Sequence, residues 1–213
     1  QGPLLVLAGA GTGKTTTLTR RLALDLARGA RATEILALTF TRKAAHEMRE
    51  RVAALLGPGI EVPEIRTFHS LGLALLSENG GRGWKAAGWN RTPKLMAESD
   101  ESKTSAEFWQ TRFRSRPDTA PSPREWNRML AEWGDPSRYQ AAGGGPGLDA
   151  WREWEAWKRR LDIAEMHDLI SGALLALEHD EELADSWRSR ARTLFVDEYQ
   201  DTDRTQYRLV KIL

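Results

Sequence analysis

Short continuous hydrophobic runs alternate along this chain with stretches of helical spacing. Leu18, Leu22 and Leu26 recur every four residues, and the segment 42–56 carries a similar apolar stripe, so both are predicted to be amphipathic helices. The continuous runs are typical of buried parallel strands and lie at 4–7, 35–40, 65–67 and 193–196. Strands and helices that alternate in this way predict an α/β fold with a parallel sheet.

The middle of the chain breaks this pattern. Residues 79–147 have weak periodicity, most of the prolines and a glycine run at 143–147. We interpret 79–147 as a mostly helical inserted subdomain, which extends to about residue 162 in a wider interpretation. The predicted organisation is therefore one α/β domain in two segments, 1–78 and 148–213, with return helices at the start of the second and the insert between them.

Composition narrows the classes of function. The 213 residues include no cysteine, which excludes disulfide scaffolds, thiol catalysis and cysteine-ligated metal centres. No apolar run is long enough to cross a bilayer and no signal peptide is recognisable, which is consistent with the cytoplasm. The net charge of +1 conceals +5 over residues 1–60, so either a polyanionic partner or a solvated basic surface is expected there. Because the chain starts at Gln1 and stops within a helical pattern, we expect it to be a fragment.

The clearest candidate site is a glycine-rich loop between the first predicted strand and the first predicted helix. Small residues let successive backbone N–H groups surround a phosphate, and the helix N-terminus adds partial positive charge. Lys14 can reach the terminal phosphates of a nucleotide, and the Thr15 hydroxyl can ligate Mg²⁺. The alternative is a glycine-rich turn that binds nothing. The predicted nucleotide contacts are Ala8, Gly9, Ala10, Gly11, Thr12, Gly13, Lys14, Thr15 and Thr16.

A pair of carboxylates follows the last predicted strand. Asp197 would lie at the carboxyl end of that strand, where ligands bind in parallel sheets, and would hold Mg²⁺ together with Thr15. Glu198 would orient or deprotonate the attacking water. The alternative is that this acid pair only caps the helix that follows.

Two further motifs accompany these: Leu-Thr-Phe-Thr-Arg-Lys-Ala-Ala-His-Glu-Met at 38–48 and Thr-Phe-His-Ser-Leu at 67–71. With the glycine-rich loop and the acid pair, they resemble the UvrD/PcrA/Rep group of superfamily 1 DNA helicases over residues 4–76 and 163–213. The resemblance implies a RecA-like P-loop NTPase domain, interrupted by a helical insert, that uses ATP and Mg²⁺ to move along single-stranded DNA. It also implies single-strand/duplex junction DNA and a second RecA-like domain of the same polypeptide as partners.

The resemblance assigns roles to individual residues. Glu198, Lys14 and Gln200 form the implied catalytic set, in which Gln200 links the state of the phosphate to the grip on DNA. Phe40 would stack on a base, although core burial is the alternative for its ring. A nearby carbonyl that satisfies the imidazole is the alternative for His69. The implied DNA contacts are Thr39, Phe40, Arg42, Thr67 and His69.

Departures from the family pattern limit what the resemblance implies about nucleotide binding, DNA contacts and ATP hydrolysis. Arg42 stands where many relatives have Asn, and Thr16 stands where they often have Arg. Because Gln1 lies too close to the loop to be the family's upstream glutamine that reads adenine, we expect that glutamine to be missing. Since the 213 residues contain neither the family's later motifs nor the arginines of its second domain, we expect weak Mg-ATP binding and little or no hydrolysis by this chain. Two alternatives remain open: an isolated nucleotide-gated DNA-binding module, and a P-loop small-molecule kinase, against which the motifs at 39–48 and 67–70 argue.

Eight of the nine tryptophans lie between Trp84 and Trp157. We expect core packing, in which Trp151, Trp154 and Trp157 form the packing faces of one helix, rather than stacking on DNA bases. Basic residues of the insert, Arg112, Arg114 and Arg116, are expected either to meet duplex phosphates or to form a solvated loop.

Overall fold

A computed structural model describes residues 3–9, 11–114, 121–132 and 146–213. The predictions for Ala10, for Arg116 and for most of the glycine run at 143–147 lie outside these residues. In chain order the described elements are α1 (Lys14–Ala27), β1 (Ile35–Thr39), α2 (Arg42–Leu56), β2 (Glu64–Thr67), α3 (Phe68–Ala86), β3 (Lys94–Leu95), α4 (Glu98–Phe113), α5 (Pro123–Glu132), α6 (Pro146–Leu161), β4 (Ile163–Ala164), α7 (Asp168–His179), α8 (Glu181–Arg190), β5 (Thr193–Val196) and α9 (Arg204–Ile212). Within the described part of the chain, no helix is long and apolar enough to span a membrane.

The chain divides into two compact units. The first comprises Gln1–Leu71, Ala184–Asp203 and Leu213, and the second comprises Gly72–Leu183 and Arg204–Ile212. Most elements lie within one unit, whereas α3 and α8 each contribute to both.

A three-stranded parallel sheet in the order β2-β1-β5 organises the first unit. All five residues of the central strand β1 are buried, which explains the continuous apolar run from which this strand was predicted. Helices α1 and α2 contact each other, and their apolar stripes meet the sheet in one core. Its buried members are Leu22, Ile35, Ala37, Ala45, Met48, Val52 and Ile65. The predicted mixture of helices and a parallel sheet is confirmed.

The strand predicted at 4–7 is wrong. Residues 3–9 form no regular element, and Leu4, Leu5, Val6 and Leu7 are between 52% and 85% exposed. A strand is stabilised only when a neighbour pairs with its backbone, and an apolar run does not specify that neighbour. In the described residues the sheet ends at β5, whose second edge has no paired strand.

Aromatic side chains fill a core in the second unit. Trp126 and Trp154 are almost fully buried around Phe108, with ring centroids 5.5 Å and 5.1 Å from its ring. Trp151 and Trp157 are half-buried against the same cluster. The expectation that α6 uses its tryptophans for packing is confirmed.

Helix α3 approaches α7 closely in the second unit. A Cβ atom added at Gly72 would lie 2.1 Å from the carbonyl oxygen of Leu169, so only glycine fits there. Helical geometry in α3 is interrupted at Glu78–Gly81, where Asn79 has φ 50°. A left-handed conformation of this kind ends a helical segment.

Candidate functional site

Two motifs from opposite ends of the chain meet at the carboxyl edge of the sheet. The Thr15 hydroxyl lies 3.3 Å from Asp197 Oδ2, and the Lys14 ammonium lies 3.1 Å from Glu198 Oε2. The first pair joins residues that are 182 positions apart. The structure therefore brings together four of the residues that the sequence predicts to hold a nucleotide, a metal and an attacking water.

Local geometry explains how α1 presents Lys14 and Thr15. Gly13 is the N-cap of α1 and has φ 93°, a conformation that favours glycine because it has no Cβ. Helix α1 then starts at Lys14, so both side chains lie in its first turn. The N-terminus of a helix attracts anions because its first N–H groups have no partner within the helix.

The acid pair is held by the strand that precedes it. The backbone N–H of Asp197 donates to the Leu38 carbonyl over 2.9 Å, which extends the β5–β1 pairing by one residue and leaves Asp197 7% exposed. Glu198 then adopts φ 49° and ψ 43°, a strained left-handed conformation for a residue other than glycine. The N–H of Asp201 donates to the Glu198 carbonyl over 2.9 Å and holds this turn.

The glycine-rich loop itself is open to solvent. Thr12 folds back on the loop, because its hydroxyl donates to the Gly9 carbonyl over 2.7 Å. Gly11 has φ 73°, and a side chain added there would meet nothing within 4 Å, so its φ rather than crowding favours glycine. The remaining described loop residues that were predicted to contact a nucleotide, Ala8 and Thr16, are exposed.

Glu198 contacts both an amide and an ammonium group at this site. The Gln200 amide donates a hydrogen bond to its Oε2, and Lys14 pairs with the same oxygen. These contacts, the amide first and the ammonium second, lower the pKa of Glu198 below its usual value. The carboxyl group is therefore ionised at neutral pH. Gln200 thus contacts Glu198 of the acid pair.

An open pocket of about 400 Å³ lies in front of these residues. Thr15, Asp197 and Glu198 line it together with Thr39 and Phe40. The structure thus places two predicted DNA-contacting residues beside the predicted metal and water residues. The Phe40 ring is half-buried with its centroid 5.4 Å from that of Phe68, whereas Thr39 is 1% exposed and its hydroxyl donates to the Thr41 carbonyl.

The other predicted DNA contacts lie at the start of α3 and on the side of α2 that faces away from the first pocket. Arg42 and Thr67 line a second pocket, of about 470 Å³, beside β2. Thr67 is 6% exposed and caps α3, because its hydroxyl accepts a hydrogen bond from the Ser70 N–H. His69 lies half-buried in the first turn of α3.

Sequence reasoning missed five residues of the first pocket: Thr41, Ala44, Glu47, Arg51 and Asp201. Thr41 is the N-cap of α2 and accepts a hydrogen bond from the Ala44 N–H. Glu47 and Arg51 form an ion pair at 3.7 Å and follow Ala44 at helical spacing, so all three share the face of α2 that adjoins the pocket. That spacing was the signal that could have identified them.

The donor set fits a magnesium ion. Mg²⁺ prefers hard oxygen ligands and usually retains several waters, so one hydroxyl and one carboxylate suffice from the protein. Thr15 and Asp197 offer these oxygens side by side, and the open pocket leaves room for water and for phosphate oxygens.

Known proteins resemble this chain along its whole length. It is 34% identical over 223 residues to the ATP-dependent DNA helicase Rep of Salmonella typhimurium and to that of Escherichia coli, with 100% of this chain and 32% of each relative covered. It is 33% identical over 221 residues to the ATP-dependent DNA helicase PcrA of Bacillus subtilis, with 100% of this chain and 29% of that relative covered. The chain thus spans about a third of the length of these curated relatives. Since a sequence model of the UvrD/REP helicase N-terminal domain matches residues 1–213, the chain belongs to that family.

Proposed function

We propose that this chain is the N-terminal ATP- and DNA-binding portion of an ATP-dependent helicase or translocase that acts on single-stranded DNA. The observation that carries the proposal is the meeting of Lys14 with Glu198 and of Thr15 with Asp197 at one sheet edge. Membership of the UvrD/REP family and the names of the relatives, ATP-dependent DNA helicases, support the same function. Under this proposal, the first unit is a RecA-like P-loop domain and residues 79–147 are a subdomain inserted into it.

The nucleotide would lie on the loop 8–15. Loop N–H groups and the first turn of α1 would bind its phosphates, and the Lys14 ammonium would turn from Glu198 to the terminal phosphates. Thr15 and Asp197 would hold Mg²⁺, which neutralises charge on the phosphates when it is bound. Glu198 would orient the attacking water, and its pKa would rise once Lys14 had left it.

DNA would lie across the same edge of the sheet. Phe40 is half-buried and offers part of its ring to the pocket that Asp197 and Glu198 also line. A base stacked on Phe40 and a nucleotide beside Asp197 would therefore contact residues of the same pocket. This proximity offers a physical route by which the phosphate state could change the grip on DNA.

Binding of a fluorescent ATP analogue in the presence of Mg²⁺ tests the proposal. We expect saturable binding by the 213-residue chain, and a loss of at least tenfold in affinity in Lys14→Ala, because a charge-assisted contact to phosphate is removed. Lys85→Ala, an exposed lysine of the second unit, is the matched control and should bind as the unaltered chain does. Equal binding by Lys14→Ala and the unaltered chain would disprove the assignment of the loop.

A further inference from the structure

Helix α2 presents a second basic surface away from the acid pair. Arg42 and Arg49 are seven residues apart, which places them on one face of α2 two turns apart. Arg66, which belongs to β2, lies beside the same face of α2. All three line the pocket of about 470 Å³ between α2 and β2, which we call the arginine pocket.

Hydrogen bonds hold two of these guanidinium groups in position. Arg49 donates to the Ile65 carbonyl over 2.7 Å, and Arg66 donates to the Glu64 carboxylate and to the Ser70 carbonyl. Arginine loses little further conformational freedom on binding when it is already oriented. Arg42 is exposed, with no ion pair among the described residues.

The arginine pocket carries a net positive charge. Among its lining residues, Glu64 is the one carboxylate, and it pairs with Arg66. The carbonyl that accepts from Arg49 carries no formal charge, so the charges of Arg42 and Arg49 are not neutralised by residues that line the pocket. A site of this composition favours an anion with several acceptor oxygens, such as a phosphate group.

The location of the arginine pocket indicates which phosphate it would receive. Thr67 lines the pocket, and the next residue, Phe68, contacts the Phe40 ring that is proposed to meet a base. Through Thr67 and Phe68, the arginine pocket therefore adjoins the proposed base-stacking position. The phosphate that this pocket would receive is therefore one next to the nucleotide whose base stacks on Phe40.

We propose that Arg49 and Arg66, together with Arg42, bind a backbone phosphate of single-stranded DNA in the arginine pocket. The inference rests on the proposed function, and it adds two contacts, Arg49 and Arg66, that the motifs do not identify. The guanidinium fork matches two phosphate oxygens at once, so the contact is independent of base sequence.

Charge-neutral replacement of an ion pair gives the sharpest test. The double variant Glu64→Gln/Arg66→Gln removes the Arg66 guanidinium without changing the net charge of the chain or leaving Glu64 unpaired. The matched control, Arg21→Gln/Asp25→Asn, removes an ion pair of α1 that does not line the pocket. Binding of a fluorescent oligo-dT is measured by anisotropy at several salt concentrations.

We expect the Glu64/Arg66 double variant to bind oligo-dT about tenfold more weakly because the guanidinium fork is lost, while the slope of log K against log salt concentration stays nearly unchanged because the removed pair is neutral. The control should match the unaltered chain in both quantities. The single variant Arg42→Asn, at an exposed position with little effect on folding, removes a positive charge that no pocket residue neutralises and should lower the slope by about 0.7.

The possible outcomes separate this inference from the proposed function. If the unaltered chain binds oligo-dT and the double variant binds it equally well, the arginine pocket is not a phosphate site and the proposed function stands. If the unaltered chain does not bind oligo-dT, both proposals fail. Tighter calorimetric binding of inorganic phosphate than of oligo-dT would overturn the assignment to a DNA strand.

Discussion

The Thr15 hydroxyl and the Asp197 carboxylate lie 3.3 Å apart although 182 positions separate them in the chain. Each residue is fixed by its own element: Thr15 by the first turn of α1, and Asp197 by the backbone hydrogen bond to Leu38. Two rigid supports therefore bring a hydroxyl and a carboxylate together without a flexible segment between either group and its element.

Replacement of Asp197 by Asn should remove the dependence of nucleotide binding on Mg²⁺. The change keeps the shape of the side chain but removes the negative charge that favours the ion. We expect a fluorescent ATP analogue to bind about tenfold more weakly to Asp197→Asn in Mg²⁺, and equally to variant and unaltered chain in EDTA.

Thr15→Val should act in the same direction, because it removes the hydroxyl ligand, whereas Thr17→Val, at an exposed position of α1, is the control. Full dependence on Mg²⁺ in Asp197→Asn would exclude this carboxylate as a ligand.

Replacement of Glu198 by Gln should tighten nucleotide binding while it impairs hydrolysis. Glu198 holds the Lys14 ammonium in the structure, so neutralisation of the carboxyl group would release Lys14 for phosphate. We expect affinity for the ATP analogue to rise a few-fold, and any ATP hydrolysis to fall about 10²-fold because the base is lost.

The two measurements must move in opposite directions. Weaker binding by Glu198→Gln would show that the ion pair with Lys14 supports the loop rather than competes with phosphate. Asp201→Asn, a carboxyl group of the same pocket that does not contact Lys14 in the structure, is a suitable control.

Phe40→Ala should weaken binding of single-stranded DNA. Stacking of a base on an aromatic side chain contributes about 1–3 kcal/mol, so oligo-dT should bind roughly 5- to 150-fold more weakly. Phe40→Trp should retain the affinity because it keeps a flat aromatic face.

Phe68→Leu separates stacking on DNA from packing between the two rings. The Phe68 side chain is 1% exposed, and its loss removes the ring contact with Phe40 but no surface that DNA could reach. If oligo-dT binding falls as much in Phe68→Leu as in Phe40→Ala, the role of Phe40 is structural packing.

The sequence predicted those elements whose boundaries are determined by the residue types at their ends. The segment 42–56 was predicted as a helix, and α2 has those bounds, because an apolar stripe starts after Thr41 and Gly57 ends it. The acid pair was expected at the tip of a strand, and β5 ends at Val196, directly before Asp197.

Contacts that depend on pairing between distant elements could not be predicted in this way. The run at 4–7 has the composition of a strand, yet pairing rather than composition makes a strand. The arginine pocket depends on the register that places Arg66 opposite Leu38, and no local spacing reveals that register. Lys158 shared a helical stripe with Trp154 in the sequence, which gave no sign that its ammonium would be buried among carboxylates.

Replacement of Lys158 by Met should strongly destabilise the second unit. The ammonium group is fully buried and lies 2.6 Å from Glu155 Oε1, 2.8 Å from Glu165 Oε2 and 2.8 Å from Asp168 Oδ2. Burial alone would lower the pKa of Lys158, but Asp168, Glu155 and Glu165 outweigh it and raise that pKa above its usual value. Loss of one partner from a buried ionic cluster costs about 3–5 kcal/mol, because the remaining charges are left uncompensated.

Urea unfolding measures this loss. Arg160→Met, at an exposed position two residues further along α6, should change the free energy of unfolding by less than about 0.5 kcal/mol. Adding Glu155→Gln to Lys158→Met should recover part of the loss, since it removes one of the unpaired charges. A decrease of less than about 1 kcal/mol in Lys158→Met alone would contradict the ionic role of the cluster.

Arg82 should make the stability of the second unit depend on acid pH. Its guanidinium donates to both carboxylate oxygens of Asp180, and these hydrogen bonds hold the pKa of Asp180 below its usual value. A carboxyl group whose pKa is lower in the folded state contributes stability above its unfolded pKa of about 3.9, and this contribution disappears as the pH falls through the folded pKa. We therefore expect Arg82→Gln to lower Tm at pH 7 and the difference in Tm to shrink below about pH 4.

Arg91→Gln, which removes an exposed arginine from Asp162, is the control for loss of one positive charge. A difference in Tm that stays constant from pH 7 to pH 2 would mean that Arg82 stabilises the fold by packing and not through the ionised Asp180.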